Sequence, residues 1–65
     1  MSKSFEVIER VGISTESIST AIKEVIIEAN YSKKVDWFEI VEQRGRITSE
    51  GKVEFQVKVQ IGRKL

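Results

Sequence analysis

The sequence predicts an α+β fold of βαββ order, a three-stranded antiparallel sheet wrapped around one helix. Two patterns and one punctuation mark carry that reading. Apolar residues at Ile18, Ala21, Ile22, Val25, Ile26 and Ala29 repeat as one face of a helix. Val53, Phe55, Val57, Val59 and Ile61 alternate with Glu54, Gln56, Lys58 and Gln60, the period of a strand with one covered face. Between the two long strand-like stretches, Thr48-Ser49-Glu50-Gly51-Lys52 supplies turn residues and marks a hairpin.

Taken in order, Phe5 to Val11 reads as the first strand, with Phe5, Val7 and Val11 on one side and Glu6, Ile8 and Arg10 on the other. Gly12 is expected to end it. Ser14-Thr15-Glu16-Ser17 offers hydroxyl side chains that can accept from the free amides of a first helical turn, and Ser17 is the preferred N-cap. The helix from Ile18 turns its apolar stripe to the sheet and Ser19, Lys23, Glu24, Glu28 and Asn30 to water. Lys33 and Lys34 follow where positive charge favours a helix C-terminus. Val35 to Ile47 and Val53 to Ile61 form the hairpin. Their length predicts twist and bending, with Gly45 the candidate bulge. Phe38 and Ile40 are expected on the core face, leaving Trp37, Glu39, Val41 and Gln43 on the other, with Ile8 nearby.

Sixty-five residues make one domain, 1–65, too short to bury a large core. Without cysteine there is neither a disulfide nor a thiolate metal site to support it, so oligomerisation is the expected support. The absence of histidine as well removes the commonest general base and the usual transition-metal ligands, and an enzyme is not expected. Asp36 and the glutamates lack the paired spacing of a cation site. Eleven basic residues against ten acidic give a net charge of +1, without the basic excess of a nucleic-acid binder. Met-Ser-Lys-Ser has no apolar run behind it and no stretch approaches the roughly 18 apolar residues of a membrane span, so a cytoplasmic protein is expected, with no membrane partner.

The face that carries Trp37 is unfinished. A fully covered tryptophan buries on the order of 200 Å², worth several kcal/mol at about 25 cal/mol per Å². Another subunit or a planar ligand should cover it. Alternation places Gln56 on the same face, and its amide both donates and accepts, as a uracil-like edge requires. Register decides whether the two meet within one subunit or only between subunits.

The run Asp36-Trp37-Phe38-Glu39-Ile40-Val41-Glu42-Gln43-Arg44-Gly45 resembles the DWFEVVEQRG segment of the dodecins. Val53 through Leu65 is similar to that family's final strand, and Val11-Gly12 before a Ser/Thr-rich helix start matches as well. The resemblance implies a hollow homo-dodecamer whose pockets hold flavins in pairs. It implies that Trp37 stacks on the isoalloxazine ring and that Gln56 bonds its pyrimidine edge. Arg44 would lie at the flavin site and suit a phosphate-bearing ligand, with Arg46 carried over more weakly. The cofactor implied is FMN or riboflavin. Some members bind coenzyme A near the C-terminal segment, but Arg63-Lys64 stands where phenylalanine-arginine is common, so that ligand is not assigned. Ile13 stands where threonine is frequent.

The function expected is flavin storage and protection, with Trp37 quenching the excited ring. Two alternatives stand beside it. One is an oligomeric interaction module without cofactor, in which the Trp37 face is only a subunit interface. The other is a sheet that weakly stacks single-stranded nucleic acid beside Arg44, Arg46 and Lys58. On the bland reading, Arg44 and Arg46 pair with Glu39, Glu42 or Glu54.

Overall fold

The computed structural model describes residues 3–65; Met1 and Ser2, the start of the segment read for a leader, lie outside the described residues. The elements run β1 (Phe5–Ser14), α1 (Ile18–Ser32), β2 (Trp37–Ile47) and β3 (Val53–Lys64). They form one antiparallel sheet in the order β1-β3-β2, so β3, the strand with the cleanest alternation, is central. This is the βαββ fold expected, three antiparallel strands with one helix.

Ser17 caps α1 as its hydroxyl chemistry suggests: its Oγ accepts from Thr20 N–H at 3.0 Å. At the other end Lys33 N–H donates to Ala29 O, and Asn30 Oδ1 accepts from Val35 N–H at 2.8 Å as the chain turns toward β2. The hairpin closes through Thr48 N–H to Lys52 O at 2.8 Å, with Gly51 at φ +82°, a conformation that costs glycine nothing.

The core lies between α1 and the β1–β3 pair. Ala21, Val25 and Ala29 of the helix meet Val57, Val59 and Ile61 of β3, with Ile8, Ile22, Ile26 and Val35 at the margin. Gly12 does not end β1. The strand continues through it to Ser14, because a residue without Cβ lets the helix come close. A methyl there would stand 2.5 Å from Ala21 O and 2.9 Å from Val25 Cβ.

Three further expectations need correction. Ile8 pairs with Ile61 and packs under the helix, so it belongs to the core side, and Phe5, Val7, Val11 and Ile13 line the open face. Phe38 and Ile40 share the core side of the sheet but stay 45% and 38% exposed, because α1 lies over β1 and β3 and does not cover them. The register break falls between Ile40 and Glu42, so Val41 is the extra residue, while Gly45 pairs normally with Phe55. Beyond Val41 the alternation reverses: Glu42, Arg44 and Arg46 take the open face, and Gln43 turns to the helix side.

The molecule measures 53 × 20 × 15 Å, and its radius of gyration of 13.6 Å exceeds the roughly 11 Å expected of a compact chain this long. The hairpin projects beyond the helix, with apolar Ile47 and Val53 exposed near its tip. One chain alone leaves its sheet half covered.

Candidate functional site

Trp37 is the first residue of β2 and pairs with Gly62 of β3, which pairs in turn with Val7 of β1. All three lie on the face away from the helix. The start of β2 is pinned twice by Asp36, whose N–H donates to Gly62 O at 2.9 Å and whose Oδ2 accepts from Lys64 N–H at 2.9 Å. This fixes where Trp37 leaves the backbone. Its indole lies directly on Gly62: a Cβ built on that glycine would fall 2.0 Å from Cε2 and 2.4 Å from Nε1. Phe5 flanks the ring edge-on, with centroids 6.5 Å apart and planes at 62°. The indole remains 41% exposed and thus offers an aromatic surface to a partner.

Gln56, Arg44 and Arg46 lie on the same open face but toward the other end of the hairpin. Gln56 stands six rows along β3 from Gly62, a separation of about 20 Å at roughly 3.3 Å per residue. No single small ring spans that distance. The structure therefore brings Gln56, Arg44 and Arg46 together and holds Trp37 apart from them within one chain.

The polar group is a ladder of four side chains across β2 and β3. Arg44 faces Gln56 and Arg46 faces Glu54 in the register. Arg44 Nε donates to Gln56 Oε1 at 2.8 Å, Gln56 Nε2 donates to Glu54 Oε1 at 3.0 Å, and Arg46 Nε donates to the same oxygen at 2.8 Å. The bond from Arg46, with a smaller one from Gln56, holds the Glu54 carboxyl below the usual carboxylate range. In return Glu54 raises the Arg46 guanidinium. Of the carboxylates considered for the arginines, the sequence left Glu39, Glu42 and Glu54 equivalent. The hairpin turn singles out Glu54: once Ile47 pairs with Val53, counting back one row sets Arg46 opposite it.

A concavity of about 450 Å³ lies on the helix side near the hairpin tip, lined by Ile18, Gln43, Gly45, Ile47, Val53 and Phe55 with Arg44 and Arg46 at its border. Its lining is mostly apolar, and neither Trp37 nor Gln56 borders it. Trp37 itself lies on the open face of the sheet. Among the described residues no cluster of three or more acidic, histidine or cysteine side chains could hold a metal ion, and no helix is long and apolar enough to cross a membrane.

Residues 5–65 match the family model described as Dodecin. A curated relative, Dodecin of Thermus thermophilus, is 36% identical over 66 residues, covering 100% of this chain and 96% of its own. Among solved structures, dodecin from Streptomyces davaonensis superposes with a TM-score of 0.88 at 32% identity, covering 100% of this chain and 97% of that one. The calcium dodecin of Mycobacterium tuberculosis, described as calcium chelating, reaches a TM-score of 0.87 at 25% identity, with 95% and 90% covered.

Proposed function

The chain belongs to the dodecin family, and from that premise we propose that it is a one-domain, non-enzymatic flavin-binding protein that stores FMN or riboflavin and protects the cytoplasm from its photochemistry. The observation that carries the reading is the half-exposed indole of Trp37 seated flat on Gly62, on the sheet face that the helix leaves open. A planar, electron-poor ring laid on that indole gains apolar burial and stacking together. An indole in van der Waals contact with an excited flavin could pass it an electron and take one back, which would leave both rings in their ground states before oxygen is reached.

The pocket is completed by assembly. Trp37 and Gln56 are too far apart to serve one ring within a chain, so the stacking residue of one subunit works beside the amide of another, in a hollow homo-dodecamer. The apolar open-face residues Phe5, Val7, Val11 and Ile13, and Phe38 and Ile40 on the other side, are the surfaces that such an assembly covers. Gln56 addresses the pyrimidine edge. Arg44 spends one of its five donors on Gln56, which leaves guanidinium nitrogens for the phosphate of FMN, with Arg46 one row further.

Purified protein run through a sizing column with visible absorption recorded tests the proposal, followed by titration of riboflavin and FMN. Wild type should elute as a large assembly and quench the flavin, and Trp37→Ala should bind more weakly and restore fluorescence to whatever remains bound. Equal affinity and equal quenching in the variant would remove the stacking role. The same exposed apolar residues also suit a cofactor-free interaction module; a dodecamer that stays colourless and leaves added flavin fluorescent would establish that reading instead.

A further inference from the structure

Gln56 carries an amide whose two ends differ, oxygen accepting and nitrogen donating, so the way it points decides what it can recognise. Two neighbours set that direction. Arg44 Nε donates to Gln56 Oε1 at 2.8 Å, while Gln56 Nε2 donates to Glu54 Oε1 at 3.0 Å. A guanidinium can only donate and an ionised carboxylate can only accept. Turning the amide over would therefore set donor against donor on one side and acceptor against acceptor on the other.

Glu54 is itself well placed to act as a fixed post. Its side chain is only 14% exposed, and Arg46 Nε holds the oxygen that Gln56 uses, at 2.8 Å. Glu54 lies two residues from Gln56 on the same face of β3 and directly opposite Arg46. It needs no contact with a ligand to control one.

We propose that Glu54 is a positioning residue of the flavin site: by holding Gln56 Nε2 it fixes the hand of the amide, and so the orientation in which the imide edge of the ring is accepted. The inference rests on the flavin reading above and adds a residue to it. An amide has two N–H donors and two oxygen lone pairs. Arg44 and Glu54 take one of each, which leaves one acceptor and one donor for the ligand. An imide edge presents an N–H between two carbonyls. A free amide can meet that edge with either carbonyl, in two ring orientations, whereas a locked amide meets it in one.

Riboflavin and 3-methylriboflavin, which lacks the imide N–H, titrated into wild type and Glu54→Gln with flavin fluorescence as the readout, test the proposal. A sizing column confirms assembly. Wild type should prefer riboflavin by about fivefold, the worth of one neutral hydrogen bond. Glu54→Gln, which can donate as well as accept, should weaken riboflavin more than the methylated analogue and narrow the preference, because a freed amide must be ordered before it bonds the imide N–H. If Glu54→Gln does not assemble, Glu54→Asp serves, because its shorter carboxylate withdraws from Gln56 and the preference should fall likewise. An unchanged preference in an assembled variant overturns the positioning role and leaves the flavin reading intact. Absence of any riboflavin quenching by wild type overturns both.

Discussion

Replacing Gly62 by alanine tests the seat of the indole without removing the indole. The added methyl would fall 2.0 Å from Trp37 Cε2 and 2.4 Å from Cζ2, where ordinary carbon contacts lie near 3.5 Å, so the ring must withdraw by about 1.5 Å. The move is open to it, since Trp37 is half exposed on the face away from the helix. An off-rotamer tryptophan costs about 0.5–1.5 kcal/mol, which the fold should survive. A ring pushed up by that distance either narrows the space for a stacked ligand or loses parallel contact with it. An aromatic stack is worth about 0.5–1.5 kcal/mol beyond its burial, so affinity should fall by up to about tenfold. Riboflavin titration followed by fluorescence, with thermal unfolding by circular dichroism as the control, reads both quantities. An assembled Gly62→Ala protein with wild-type affinity and quenching would refute the argument that the ligand surface is the indole held down on this glycine.

Two other substitutions bear on the frame that carries the site. Gly12→Ala should destabilise by about 1–3 kcal/mol, because its methyl meets backbone Ala21 O at 2.5 Å and the helix cannot yield without leaving the sheet; a melting point within a degree of wild type would remove the close-approach account. Arg63 is 7% exposed, donates to Ala29 O at 3.4 Å, and among the described residues its Nε has no partner. An unpaired buried donor costs about 1–3 kcal/mol, so Arg63→Met should raise the urea midpoint at fixed protein concentration. A lower midpoint would mean that the guanidinium's hold on the helix C-terminus outweighs its burial.

The element inventory was legible because each element carries its own period. The helix stripe from Ile18 to Ala29 and the alternation from Val53 to Ile61 need no partner to be seen, and Ser17 announces the cap with a short hydroxyl. Trp37 on the face away from the helix also followed from counting by twos, since no bulge intervenes between it and Ile40. Counting failed at Val41. An extra residue in a strand carries no compositional mark, and Gly45, which looked like one, is a glycine for another reason: a Cβ there would stand 2.8 Å from Glu54 O across the hairpin.

What the sequence determined by itself was local: which segments are helix and strand, which residues carry aromatic, amide and guanidinium chemistry, and that one face would need a partner. What the tertiary structure decided was who stands beside whom. The pairing register puts Trp37 over Gly62, sets Arg46 opposite Glu54 and Arg44 opposite Gln56, sends Ile8 under the helix and leaves Phe38 uncovered. The physical reason is that backbone hydrogen bonds between strands are alike at every row. Alignment is therefore chosen by turn geometry, by where a helix can approach a glycine, and by where a bulge absorbs one residue, all of which act between segments distant in the chain.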